Sequence, residues 1–109
     1  MPKEPQSPNW KLELRYGRLA TPYKHFTAIA DGVAGELQDG FECRPGPAVM
    51  SIKTWAGDAN ESAHMARLIG QQIGFSVSGQ IEIFETEAEQ PPGDRPHGYD
   101  INFVPYDDD

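Results

Sequence analysis

Histidine and cysteine are the residues of this sequence best suited to catalysis or metal binding. The three histidines, His25, His64 and His97, are widely separated in the chain, and none is closely followed by a second histidine or a cysteine. Metal sites usually show such short spacings, because neighbouring side chains must reach one ion. The sequence therefore predicts no metal site, and the lack of a glycine-rich phosphate-binding motif predicts no nucleotide cofactor.

Cys43 is the single cysteine and precedes Arg44, a cation that favours the reactive thiolate form. No motif places a histidine beside it, and no serine stands in the glycine-flanked elbow of the hydrolases. We therefore predict no catalytic residue and favour a protein that is not an enzyme. A single cysteine also excludes an intramolecular disulfide, which favours a cytoplasmic location.

Carboxylates are the most distinctive chemical feature of the chain. Its 109 residues include 9 basic and 17 acidic side chains, giving a net charge of −8. Residues 56–109 alone contain two basic and eleven acidic side chains, a net of −9. This asymmetry opposes binding to nucleic acids and anionic membranes, and it favours a partner protein with a basic surface.

Four glutamates follow one another closely within the acidic half: Glu82, Glu85, Glu87 and Glu89. Dense charge of one sign often serves only to keep a surface solvated. The functional interpretation is that these carboxylates attract a basic partner over long range and accelerate its association. We predict these four residues as the partner-binding site.

The elements that position these groups begin with an alternating segment. Apolar and charged residues alternate from Trp10 to Tyr16, which predicts a strand with one buried side that ends at Gly17. Residues 1–9 contain three prolines and predict a flexible N-terminal arm outside the core.

The segment from Thr21 to Arg44 supports two interpretations. Apolar residues at intervals of three or four favour a helix over roughly residues 22–31. Alternatively, Asp31-Gly32 and Asp39-Gly40 form hairpin turns, because Asp-Gly tolerates positive φ angles. The second interpretation gives short strands near residues 25–30, 33–38 and 41–44. We favour the helix, followed by extended chain.

The following residues give a clearer pattern. Residues 45–47 (Pro-Gly-Pro) indicate a turn and residues 48–55 a strand covered on both faces. A helix over residues 58–73 follows, with Asp58 as its N-cap and Gly74 as its stop. Its apolar stripe consists of Met65, Leu68, Ile69 and Ile73. Gly70 lies opposite that stripe, where we predict no role for it.

Two more strands complete the prediction. Residues 75–86 alternate, with Gly79 indicating a bulge or a close backbone approach, and the segment from Tyr99 to Phe103 alternates again. We expect these two strands to pair as a long-looped hairpin, and strands 48–55 and 75–86 to form a right-handed parallel crossover through the helix. The predicted fold is α+β: an antiparallel or mixed sheet of about four to six strands, with one or two helices packed on one face.

We predict a single domain over residues 10–106, followed by an acidic tail at 107–109. No stretch is long and apolar enough to be a signal peptide or a membrane span. The predicted function is a small acidic cytoplasmic binding or accessory protein, of the inhibitor or immunity type, that engages a basic macromolecular partner. The alternative is a small dimeric enzyme in which His25, His64 or His97 acts with a carboxylate in a cavity between sheet and helices. A third interpretation is self-association through exposed strand edges.

Overall fold

The computed structural model describes residues 10–16 and 21–106. They form a four-stranded antiparallel sheet with two helices, which confirms the predicted α+β fold. The elements are α1 (Trp10–Arg15), β1 (Lys24–Ala34), β2 (Gly46–Ala56), α2 (Ala59–Ile73), β3 (Phe75–Glu85) and β4 (His97–Pro105). The predicted arm (residues 1–9), the predicted strand end at Gly17 and the predicted acidic tail (107–109) lie outside the described residues.

The strands lie in the order β3-β1-β2-β4, and every neighbouring pair is antiparallel. β2 and β3 consequently run parallel, joined through α2 with β1 between them, so the two strands of the predicted crossover share one sheet. The predicted hairpin of β3 with β4 is wrong, because these strands form opposite edges. A long loop does not impose hairpin pairing, and pairing with β2 places Phe103 opposite the buried Met50.

The core lies between α2 and one face of the sheet. Strands β1 and β2 present mainly small residues to the helix, and Ala28, Ala30 and Ala48 are completely buried. These alanines leave room for Met50 and Phe75, which are also completely buried. Where the interface becomes polar, the hydroxyls of Thr54 and Ser62 hydrogen-bond to each other at 2.7 Å, as buried polar groups require.

The predicted long helix is confirmed as α2. The Asp58 carboxylate accepts a hydrogen bond from the Glu61 amide at 2.8 Å, and the Glu61 side chain accepts one from the Gly57 amide. The first bond satisfies an N–H group that the first helical turn leaves without a partner, and the second ties the residue before the N-cap to the helix. At the other end, the Gly74 amide bonds to the Gly70 carbonyl, and Gly74 has the positive φ that glycine tolerates.

Gly70 has a role that the sequence prediction missed, because the buried side of α2 differs from the predicted stripe. Ser62, Ala66, Gly70 and Ile73 face the sheet, whereas Leu68 is exposed. A Cβ at Gly70 would lie 3.2 Å from the Met50 sulfur. The missing side chain therefore lets α2 approach Met50 closely.

The predicted strand over residues 10–16 is wrong, since this segment forms α1. Trp10 and Leu14 are four residues apart and line the same cleft, while Leu12 is exposed. Leu, Lys, Glu and Arg are good helix formers, and the segment contains no β-branched residue. Residues four apart, such as Trp10 and Leu14, lie on the same face both in a strand and in a helix. In so short a segment this spacing therefore does not distinguish the two structures.

The predicted helix over residues 22–31 is also wrong, because β1 (Lys24–Ala34), one of the two central strands, occupies most of this region. Asp31 and Gly32 lie within that strand, so the alternative hairpin turn at this site is wrong too. Asp39 and Gly40 do form a turn with positive φ, but within the loop 35–45 that joins β1 to β2. The coincidental spacing of apolar residues concealed a strand whose inward side chains are mostly alanines.

The bulge predicted at Gly79 is confirmed. Ala30 pairs with Ile81 and Gly32 pairs with Val77, so β3 has extra residues opposite Asp31. A Cβ at Gly32 would collide with the Ser76 carbonyl oxygen, so the strand passes this irregular segment only without a side chain.

Within the described segments, neither helix has the length and apolar character needed to traverse a lipid bilayer.

Candidate functional site

The face of the sheet opposite α2 is the candidate site, and we call it the open face. The strand register arranges its side chains in rows across the sheet. From one end to the other these rows are Ser76, Val33, Pro47; Asp31, Val49, Val104; Glu82, Ile29, Ser51, Asn102; Phe84, Thr27, Lys53, Tyr99; and His25, Trp55, His97. The last row is covered by loop 86–96, and the other rows face outwards.

The four predicted glutamates do not lie together. Glu82 and Glu85 are three residues apart in β3 and therefore lie on opposite faces, with Glu82 on the open face. Glu87 forms an ion pair with Arg15 at 3.5 Å, and Glu89 forms one with Lys53 at 2.8 Å. Glu82 is thus the member of the set that a strand places on the open face, while Glu89 reaches that face from loop 86–96 through its ion pair with Lys53.

Lys53 is held between two carboxylates on this face. Its Nζ lies 2.8 Å from a Glu89 oxygen and 2.8 Å from an Asp100 oxygen. Its hydrogen bonds to Asp100 and Glu89 raise the pKa of Lys53, and the bond from Lys53 lowers the pKa of Asp100. One cation is thus shared by two acids, so this cluster adds no positive charge to the face.

Apolar side chains are the feature of the open face that the sequence prediction missed. Val104 is 61% exposed, Phe84 48%, and Val33 and Tyr106 46% each. Val33 and Val104 lie in adjacent rows at one end, and the partly buried Val49 lies between them. Large apolar residues gathered on one exposed face are typical of interaction surfaces.

Carboxylates border these apolar side chains. Asp31 lies in the same row as Val49 and accepts a hydrogen bond from the Tyr106 hydroxyl, which raises the pKa of Tyr106. Glu82 lies in the next row, beside Ile29. An apolar centre with an acidic border is complementary to a partner surface that combines apolar and basic side chains.

His25 lies at the covered end and is 5% exposed. Its Nδ1 lies 3.1 Å from the Thr86 carbonyl oxygen, and its Nε2 lies 2.7 Å from the Tyr99 hydroxyl. A carbonyl only accepts, so Nδ1 donates to Thr86 and the neutral ring accepts the Tyr99 proton at Nε2. Burial is the main cause of the lowered pKa of His25, in agreement with a neutral ring.

Tyr99 and Trp55 fix the loop that covers this end. The Tyr99 oxygen accepts hydrogen bonds from the Glu89 and Gln90 amides at 2.9 and 3.2 Å. The Trp55 indole N–H donates to the Gln90 carbonyl at 2.8 Å. The polar side-chain atoms of His25, Trp55 and Tyr99 thus hold loop 86–96 in place.

The other predicted histidines do not join His25 in an acid–base pair. His64 is exposed on α2, away from the open face. His97 is half-buried, and its Nδ1 lies 3.4 Å from the Arg95 carbonyl oxygen. Cys43 contacts the Arg44 carbonyl. Over residues 10–16 and 21–106, no group of three histidine, cysteine or carboxylate side chains is arranged to hold a metal ion.

A concave region, which we call the cleft, lies beside α1. It has a volume of about 550 Å³ and is lined by Trp10 and Leu14 of α1 and by His25 and Trp55 of the sheet. Three cations, Lys11, Arg15 and Lys24, also line it. This cleft is separate from the exposed apolar rows of the open face.

The comparisons with known proteins yield no relative. No family model, no curated protein and no solved structure matches this chain. The function of the open face must therefore be interpreted from its own residues.

Proposed function

We propose that this chain is a small cytoplasmic binding protein. Its open face binds a surface of a partner protein that combines apolar and basic side chains. The observation that carries the proposal is the group of exposed apolar side chains around Val104, bordered by Asp31 and Glu82. The cytoplasm is proposed because a chain with one cysteine needs no oxidising compartment.

The two kinds of side chain have different tasks in such a complex. Burial of apolar area supplies most of the affinity, at roughly 25 cal/mol per Å² removed from water. The carboxylates steer a cationic partner and exclude anionic ones, so their contribution falls as salt increases. A nucleic acid is disfavoured as the partner, because the acidic border repels phosphates.

Charge also favours a partner protein over a second copy of this chain. Two copies would each bring a net charge of −8 and the same acidic border to the contact. Like charges opposite one another cost free energy in an interface. Homodimer formation is therefore an outcome that the test must detect separately.

The hydrogen bonding of His25 favours binding over acid–base catalysis. A general base needs a ring nitrogen within reach of a substrate proton. Both nitrogens of His25 are engaged, by Thr86 and by Tyr99. The ring therefore serves to position the covering loop in this conformation.

The test compares capture from a lysate of the producing cell by three immobilised variants with capture by the unmodified protein. Val104→Lys and Glu82→Lys alter the open face, and Leu68→Lys changes an apolar residue on α2 that is also exposed (45%, against 61% for Val104). Circular dichroism first establishes that all three fold. A protein retained by the unmodified chain and Leu68→Lys, but not by the open-face variants, is then purified for titration.

The purified partner decides the proposal. We expect its Kd to rise at least tenfold with Val104→Lys, to rise with added salt, and to be unchanged with Leu68→Lys. Equal retention by all variants, a Kd independent of salt, or light scattering that shows only dimers of this chain would overturn the proposal.

A further inference from the structure

The cleft beside α1 combines aromatic walls with positive charge. Four rings line it, those of Trp10, Tyr23, His25 and Trp55. Its volume of about 550 Å³ is within the range of small-molecule sites, roughly 300 to 1,000 Å³. Neither the partner-binding proposal nor the structure of the core requires this concavity.

The polar atoms of three of these rings are engaged within the protein. The Tyr23 hydroxyl donates to the Asp94 carbonyl at 3.2 Å, and the Trp55 indole donates to Gln90. Both nitrogens of His25 are also hydrogen-bonded. These bonds fix the three rings, but His25 and Trp55 are only 5% and 2% exposed. The ring surface open to a ligand therefore belongs to the half-buried Trp10 and Tyr23. Fixed aromatic walls favour a planar, apolar ligand body, because rings stack on rings at little entropic cost.

The charge of the cleft is opposite in sign to that of the whole chain. Lys11, Arg15 and Lys24 line it together with Glu85 and Glu87. Arg15 and Glu87 form an ion pair with each other. Among the side chains that the structure describes (residues 10–12, 14–16 and 21–106), no ion pair joins Lys11 or Lys24 to a carboxylate, so these two ammonium groups favour an anionic ligand group.

We propose that this cleft binds a small planar aromatic molecule that bears a carboxylate. The rings of Trp10 and Tyr23 contact the aromatic body, and Lys11 and Lys24 attract the carboxylate. A ligand with an ammonium group in place of the carboxylate would be repelled by Lys11 and Lys24. The proposal does not depend on the partner-binding function of the open face.

The two tryptophans of the chain both line the cleft, so they report directly on its occupancy. The probe is 2-naphthoate, compared with the neutral 2-naphthamide and the cationic 2-naphthylmethylammonium. Each is titrated into ¹⁵N-labelled full-length protein while the two indole N–H signals are followed. We expect both signals to shift with 2-naphthoate and the Kd of the anion to be at least fivefold lower than those of the other two probes.

Charge reversal inside and outside the cleft provides the matched control. Lys24→Glu removes a lining ammonium group, whereas Arg67→Glu makes the same change in charge on the exposed part of α2. We expect the Kd for 2-naphthoate to rise at least fivefold in Lys24→Glu and to be unchanged in Arg67→Glu. Equal affinity for the three probes, equal effects of the two substitutions, or no shift of either indole signal would overturn the proposal.

Discussion

The two faces of the sheet are built from the same strands but have opposite character. On the face covered by α2, Ala28, Ala30 and Met50 are completely buried, and small residues allow close packing. On the open face, Phe84 and Val104 are about half exposed or more. Alternate residues of one strand thus lie on two faces. Those on one face stabilise the fold by packing against α2, and those on the other are exposed and can contact a partner. Substitutions on the two faces should therefore differ in kind.

The largest expected difference is between two phenylalanines of β3. Phe75 is completely buried against α2 and Phe84 is 48% exposed on the open face. Phe75→Ala should lower the free energy of unfolding by about 4 kcal/mol, because it leaves a cavity, and Phe84→Ala by less than about 1 kcal/mol. Urea unfolding followed by circular dichroism measures both values. Similar losses would contradict the division between the faces.

Tyr99 should give the next largest effect, since its hydroxyl joins His25 to the covering loop. Tyr99→Phe removes an acceptor for two amides and a donor to His25, and should cost roughly 2 kcal/mol in unfolding free energy. Tyr106→Phe removes a hydroxyl bonded to the exposed Asp31 and should have no comparable effect. Thermal unfolding of the two variants tests whether the covered end differs from the rest of this face.

The lowered pKa of His25 predicts how stability depends on pH. The unfolded chain takes up a proton near the ordinary value of 6.5, while the folded chain takes it up only at lower pH. Between these two values the unfolded state binds more protons, so the free energy of unfolding falls as pH decreases below 6.5 and levels off above it. His25→Gln should reduce this slope. Urea unfolding at several pH values measures the slopes.

Lys53 should give the smallest effect. Its ion pairs with Glu89 and Asp100 are at the surface, where such pairs contribute little to stability. Lys53→Met should lower the melting temperature slightly in dilute buffer, and the difference should shrink in 1 M salt. A large, salt-independent loss would place Lys53 with the core residues instead.

Local signals explain what the sequence predicted well. The N-cap Asp58, the neighbouring Glu61 and the stop Gly74 all act within a few residues of one another, so α2 was predictable. β1 was not predictable, because alanine has no strong preference for strands. Its alanines are buried in the core only because α2 packs on that face of the sheet. The bulge at Gly79 was predictable from a glycine that interrupts an alternating strand.

The candidate site depended on information that sequence order does not contain. Glu82 and Glu85 are close in the chain, yet an odd spacing in a strand separates them to opposite faces. The ion pairs Arg15–Glu87 and Lys53–Glu89 join distant parts of the chain. The exposed group around Val104 exists because β4 crosses to the edge beside β2, and that order of strands was not predicted.

Loop 86–96 crosses from one edge of the sheet to the other, so the fold should tolerate a break in the chain there. Each edge strand is held by its neighbour, β3 by β1 and β4 by β2, and the loop adds no strand pairing of its own. A protease cut near Gly93, which is exposed, would leave every ladder intact. The two fragments should then remain associated and migrate as one particle until a denaturant separates them.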